Sequence, residues 1–212
     1  MSSMRRGADI FEDIAGDIAG SLVPGVGPVV KRLGARMREE NARNRSLALR
    51  AACDAAQLTR EDLAERVVEN PQLIPLVTRL LWEAAMTGQH QKLEAMGRAF
   101  GQAAAQQTDV ESCELILTGL QNLVSVDIVV LRYLGEVHEV FRPHANERET
   151  GNRSTREVAP RMGMTEERLS YSLVRLAGQG MASQSSVIGG EVYTITGSGL
   201  ALYGALQKVG EQ

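Results

Sequence analysis

Apolar residues recur at the three- and four-residue spacing of amphipathic helices through the first 125 residues. Two prolines and two glycines within residues 23–30 predict an apolar bend between the first two helices. Thr59 is a predicted N-cap, because its hydroxyl can accept a hydrogen bond from a free N–H group of the first turn. The pattern predicts helices over residues 7–22, 31–57, 59–70, 72–86, 89–106 and 109–124.

The last third of the chain follows a mixed pattern. Ser154 and Thr165 are predicted N-caps of two short helices. Gly189-Gly190 suits a tight turn between two β-type runs and therefore predicts a hairpin. The predicted order is a helix over 126–139, a loop over 140–153, helices over 155–162 and 166–178, β-type runs over 182–188 and 191–196, and a helix over 198–209.

This order of elements is typical of a winged helix-turn-helix. The predicted fold class is therefore mainly α, with an N-terminal helical region followed by a C-terminal winged helix that contains a small two-stranded β-hairpin. We expect three parts: an apolar amphipathic arm over residues 1–30, a helical domain over 31–125 and a winged-helix domain over 126–212.

Composition restricts the core and the partners. Hydrophobic residues make up 43% of the 212 positions and aromatic residues only 4%, so the core is expected to be aliphatic and rich in alanine. The formal net charge is −3, so a DNA contact has to come from a local patch. Cys53 and Cys113 belong to no metal-binding motif and are expected to be free thiols, with no metal or cofactor bound. Because there is no secretory signal and no run of 18 apolar residues, the cytoplasm is the expected compartment.

The apolar face of the N-terminal arm has two interpretations. Residues 10–30 could contact a membrane, or the arm could dock on the protein or on a second copy of it. The polar face carries Asp9, Asp13 and Asp17 instead of lysine or arginine. Because acidic residues do not suit anionic lipid surfaces, the pattern favours a docking arm.

The helix over 166–178 presents the candidate DNA-reading face. Leu169, Leu173 and Leu176 define its buried side. The residues predicted on the outer face, which would read a major groove, are Arg168, Tyr171, Ser172 and Arg175. The residues predicted to hold the phosphate backbone are Arg153, Arg156 and Arg161.

A second interpretation is a domain that docks a protein. Residues 142–175 contain seven arginines and five glutamates, so the local excess is only two positive charges. Glu166 and Glu167 begin the candidate reading helix, where they would face phosphates. Gly25-Val26-Gly27 is not a phosphate-binding loop, because the Lys-Ser/Thr that would follow is missing. No nucleophile motif is present, and the carboxylates are scattered along helical faces. The chain is therefore expected to bind a partner and not to be an enzyme.

Two segments resemble known families. The tail Gly180-Met181 through Tyr193-Thr194-Ile195-Thr196-Gly197-Ser198-Gly199-Leu200 resembles the hairpin and closing helix of bacterial winged-helix regulators, whose pattern is roughly Tyr-x-Leu-Thr-x-x-Gly. That resemblance implies binding of double-stranded DNA through the third helix, transcription regulation and a homodimer. The middle, Glu69-Asn70-Pro71 through Trp82-Glu83-Ala84-Ala85-Met86 and Lys92-Leu93-Glu94-Ala95-Met96-Gly97-Arg98-Ala99, is similar to bacterial and phage abortive-infection proteins of the alpha type, which implies a phage-defence or immunity role.

Overall fold

A computed structural model describes the backbone of residues 27–144 and 153–207, and side chains from residue 33 onward within those ranges. The described chain is mainly helical, with a small three-stranded antiparallel sheet towards its C-terminal end. The elements are α1 (Gly27–Ala56), α2 (Arg60–Glu69), α3 (Leu73–Met86), α4 (His90–Ala104), α5 (Val110–Asn122), α6 (Ser125–Val137), β1 (Glu139–Pro143), α7 (Thr155–Arg161), α8 (Glu166–Gly178), β2 (Ala182–Val187), β3 (Gly190–Ile195) and α9 (Gly197–Gln207).

Helices α1 and α4 make the closest helix pair. A Cβ atom added to Gly97 would lie 2.2 Å from the backbone oxygen of Ala48, and one added to Gly101 would lie 2.2 Å from that of Ala52. Because both pairs advance by four residues in the same direction, the two helices run parallel along this contact. Only glycine in α4 allows the two backbones to approach so closely.

One cluster of buried residues runs through the helical region and the C-terminal third. Phe100 and Tyr193 are the aromatic members of its buried set, and the other buried members are aliphatic or sulfur-containing, as the composition predicts. Leu202 of α9 packs against Gly119 of α5, and Tyr203 packs against Gly135 of α6. The core is therefore continuous across residue 125, where the sequence pattern places a domain boundary.

An ion pair lies inside this core. The Nζ atom of Lys92 is 2.6 Å from Oε1 of Glu83, and both side chains are less than a tenth exposed. The same Nζ atom donates to the carbonyl oxygens of Gln121 at 2.9 Å and Leu123 at 3.3 Å. Since all three ammonium donors have acceptors, Lys92 is fully satisfied and joins α3, α4 and the C-terminal end of α5.

The sheet has three strands where the sequence pattern predicts two. Its order is β1-β3-β2, with β3 antiparallel to both neighbours. The helix expected over 126–139 is confirmed within two residues, because α6 ends at Val137 and His138 turns the chain with a φ of 66°. The loop expected over 140–153 is wrong at its start, where residues 140–143 belong to β1. Val140 is fully buried in β1, and Pro143 closes the strand at the sheet edge, where a missing N–H is tolerated.

The start of α1 also differs from the expected pattern. The bend predicted over 23–30 is wrong for its last four residues, because α1 begins at Gly27. Pro28 lies in the first turn, where its missing N–H is not needed for a helical hydrogen bond. The helix predicted over 7–22 lies outside the described residues. The other element boundaries agree within two residues, and Thr59, Ser154 and Thr165 are confirmed as N-caps.

The described residues add three observations on chemistry and location. Cys53 and Cys113 are free thiols, and burial raises the pKa of Cys113 to about 12, so that its reactive thiolate form is scarce at neutral pH. No group of three or more His, Cys, Asp or Glu side chains in the described ranges could hold a metal ion. No helix among those residues is long and apolar enough to cross a membrane.

Gly101→Ala is expected to lower the free energy of unfolding by about 1–3 kcal/mol, since the new methyl group would press on the carbonyl of Ala52 in a packed interface. Gly34→Ala in α1 is the matched control, because a Cβ atom there meets nothing within 4 Å. That control should gain up to about 1 kcal/mol from reduced backbone freedom. Urea denaturation followed by circular dichroism measures both. Equal stability of the two variants would contradict the close packing of α1 on α4.

Candidate functional site

A concave surface lies over the N-terminal half of α8. It encloses about 370 Å³ and is lined by Val126, Thr165, Glu167, Arg168, Tyr171, Ser172 and Arg175. Thr165 is the N-cap of α8, and its hydroxyl accepts the backbone N–H of Arg168 at 3.3 Å. The four residues predicted to read a groove therefore line one concavity, but they do not share one environment.

Two of these four residues are on the exposed face of α8. Tyr171 is 77% exposed, and Arg168 is exposed one turn earlier along the same side. Among the described residues, no carboxylate pairs with Arg168. On the opposite side Leu169, Leu173 and Leu176 are fully buried, as the spacing predicts. The exposed side of α8 therefore offers a guanidinium group and a phenol ring together.

The other two residues belong to a buried polar network. Ser172 is only 1% exposed, so its predicted place on the outer face is wrong. Its hydroxyl donates to Oδ1 of Asp127 at 2.6 Å. Arg175 donates to the same oxygen from Nη2 at 2.6 Å and from Nε at 3.1 Å. The physical reason is that Asp127, fully buried in α6, needs donors for its charge and finds them on α8.

This network holds the guanidinium of Arg175 at the floor of the concavity. The second carboxylate oxygen of Asp127 accepts the backbone N–H of Val124 at 3.1 Å, so the carboxylate is held by its own helix as well. The Arg175 side chain is 37% exposed while that of Asp127 is 0% exposed. Arg175 is therefore partly open to solvent, but its Nε and Nη2 atoms already donate charge-assisted hydrogen bonds to Asp127.

Two of the three arginines predicted to hold a phosphate backbone are also paired with carboxylates. The Nη1 atom of Arg153 is 2.9 Å from Oε1 of Glu139, and Nε of Arg156 is 3.7 Å from Oε1 of Glu166. Arg156 also donates to the carbonyl of His144 at 3.0 Å. Arg161, at the end of α7, is exposed.

The hairpin next to α8 carries no charge at its tip. No Lys, Arg, Asp or Glu occurs from residue 176 to residue 190. The side chains of β2 after Ala182 are exposed and mostly polar. At the tip Ile188 is 99% exposed and Val187 is 42% exposed. The hairpin surface is therefore neutral, and its tip is the apolar pair Val187 and Ile188.

Sequence reasoning missed Asp127. An acidic residue in the first turn of a helix is usually a solvated partner of the helix dipole, and Asp127 in α6 matches that pattern. The local sequence does not show that Ser172 and Arg175 of α8 approach the same carboxylate. A weak signal was the spacing of Ser172 and Arg175, which lie one turn apart on α8. Two donors at that spacing can reach one acceptor on a neighbouring helix.

Searches against protein-family models, curated proteins and solved structures found no match to this chain.

Arg175→Met is expected to lower the free energy of unfolding by about 2–3 kcal/mol, because it leaves the buried Asp127 carboxylate without its cation. Arg168→Met is the matched control on the exposed side of the same helix, and its change should stay within about 0.5 kcal/mol. Urea denaturation measures both. If the two substitutions cost the same, the tether between α6 and α8 does not contribute to stability.

Proposed function

We propose that residues 125–207 form a winged helix that binds double-stranded DNA, and that the protein is a non-enzymatic, cytoplasmic transcription regulator acting as a homodimer. The observation that carries the proposal is the order of elements in space. Helix α6 is followed by β1, the pair α7 and α8, and the hairpin of β2 and β3, with β1 pairing on β3. Gly163, with a φ of 66°, makes the turn between α7 and α8.

In this proposal α8 is the helix that enters the major groove. Arg168 and Tyr171 are exposed near the N-terminal end, beside the exposed Glu167, and this is the end that contacts base edges in such helices. An arginine can donate two hydrogen bonds to one guanine. Arg175 and Ser172 act indirectly in this proposal. Their hydrogen bonds to Asp127 set the rotation of α8 on the body of the domain.

The phosphate backbone would be held by Arg153, Arg156 and Arg161. Arg153 and Arg156 would exchange their partners Glu139 and Glu166 for phosphate oxygens, while Arg161 is already exposed. Exchange of one anion for another yields less free energy than capture of phosphate by a solvated cation. We therefore expect modest affinity with a shallow dependence on salt.

Arg168→Ala is expected to weaken binding to a preferred duplex by about tenfold or more, because a base-contacting arginine contributes on the order of 1–3 kcal/mol. Arg50→Ala is the matched control, since Arg50 is an exposed arginine on α1. Fluorescence anisotropy with labelled duplexes selected from genomic fragments measures both at two salt concentrations. If Arg168→Ala binds as tightly as the parent chain, α8 is not the reading helix.

A second candidate function is a phage-defence or immunity protein whose winged helix docks a protein partner and whose N-terminal arm engages a membrane or partner. The neutral hairpin favours it, because Ile188 and Val187 form an apolar tip where a DNA-binding hairpin usually carries basic residues. The resemblance of the middle helices to abortive-infection proteins points the same way.

The same titration separates the two candidates. If the protein binds DNA, it raises the anisotropy of a labelled duplex at low salt, and Ile188→Asp weakens that binding only slightly because Ile188 is almost fully exposed. A protein-docking domain shows no binding to any duplex at low salt. In that case light scattering should show a defined complex with a purified partner, and Ile188→Asp should abolish the complex.

A further inference from the structure

The N-terminal half of α1 extends beyond the helix on which α1 packs. The amide Nδ2 of Asn44 donates to the carbonyl of Thr87, just before α4 begins at His90. After that point the contact of α1 with α4 continues through Ala48 and Ala52. Before it, residues 33–43 are exposed or only half-buried. The first four or so turns of α1 therefore project past the start of α4.

The face that α1 buries against α4 continues along this projection. Leu33 and Met37 lie at helical spacing with Asn44 and Ala48, which are buried. Leu33 and Met37 are each 57% exposed. Among the described residues nothing covers them, so an apolar stripe continues into solvent on the side of α1 that is otherwise packed.

We propose that residues 7–22 of the same chain fold back and cover this stripe as the first helix of a helical hairpin. Their apolar face comprises Ile10, Phe11, Ile14, Ile18 and Leu22. A helix of that length spans about 24 Å, and residues 27–43 of α1 span about 25 Å, so the two match. The four residues between them, 23–26, make a connection of the length that places successive helices antiparallel.

The register of such a hairpin follows from the length of the connection. If residue 22 lies opposite residue 27, Ile14 lies between Leu33 and Met37 on the facing helix. Phe11 and Ile18 then lie one turn to either side of Ile14. Phe11, Ile14 and Ile18 therefore each lie within about one turn of Leu33 or Met37.

The charges along one edge of the pair are complementary. Asp9, Asp13 and Asp17 each precede an apolar residue of the segment, so they lie along one edge of its apolar face. In an antiparallel pair, that edge meets the edge of α1 that carries Arg36 and Arg43. In the register above Asp13 lies opposite Arg36, while Asp9 lies opposite Glu40, which has Arg36 and Arg43 one turn to either side on the same edge of α1. The three aspartates would be repelled by an anionic membrane and are attracted by the arginines of α1, which favours the chain's own segment as the occupant.

Hydrogen exchange of the full chain tests the proposal. An isolated helix of this length is marginal in water, so amides of residues 10–20 should exchange at random-coil rates unless the segment is docked. We expect roughly tenfold slower exchange or more in the parent, lost in the double variant Leu33→Asp, Met37→Asp. Ala35→Asp, which adds charge on the opposite, exposed face of α1, is the matched control and should keep the protection. Random-coil exchange in the parent, or equal protection in the double variant, overturns the proposal.

A disulfide test identifies the occupant. In a Cys53→Ala background, Ile14→Cys with Met37→Cys is expected to oxidise within one chain, whereas Ile14→Cys with Ala35→Cys stays reduced under the same conditions. Cys113 does not interfere, because it is buried. Disulfides that form between chains would show that a second copy covers the stripe. Protection of residues 10–20 that appears only with anionic vesicles would show a membrane, and either result overturns the proposal.

Discussion

The close approach of α1 and α4 is the constraint on which the rest of the structure depends. Two glycines of α4 lie against the backbone of two alanines of α1, so the helices pack without intervening side chains. That contact places α4 at the centre of the helical region, with α1, α3, α5 and α9 packed around it. A thin interface of this kind leaves little volume for aromatic residues. It explains how a chain with so few of them still forms a continuous core.

Two charged pairs with buried carboxylates connect further helices. Lys92 joins three helices through Glu83 and two carbonyl oxygens, and Asp127 joins α6 to α8 through Ser172 and Arg175. Desolvation offsets much of the attraction within a buried ion pair, but removal of one partner leaves a buried charge without compensation. In this protein the bonds of Ser172 and Arg175 to Asp127 hold one side of α8 against α6, while Arg168 and Tyr171 face solvent.

Periodicity and capping predicted most of the elements, because Thr59, Ser154 and Thr165 mark helix starts with side-chain hydrogen bonds that depend on local sequence alone. Strand β1 was not predicted, because Val140 continues the apolar spacing of α6. Only the positive φ of His138 separates α6 from β1. For the candidate site, Arg168 and Tyr171 lie on the exposed face as predicted, while Ser172 does not. The reason is a contact between α6 and α8 that local spacing cannot encode.

The position of α9 has a consequence for synthesis of the chain. Leu202 and Leu206 are buried, and α9 packs against α4, α5 and α6, which are made much earlier. Until α9 leaves the ribosome, the surface around Gly119 and Gly135 lacks its cover. The helical region therefore emerges with an apolar flank that only a late segment can close. Premature termination before residue 197 would leave that flank open to chaperones and to aggregation.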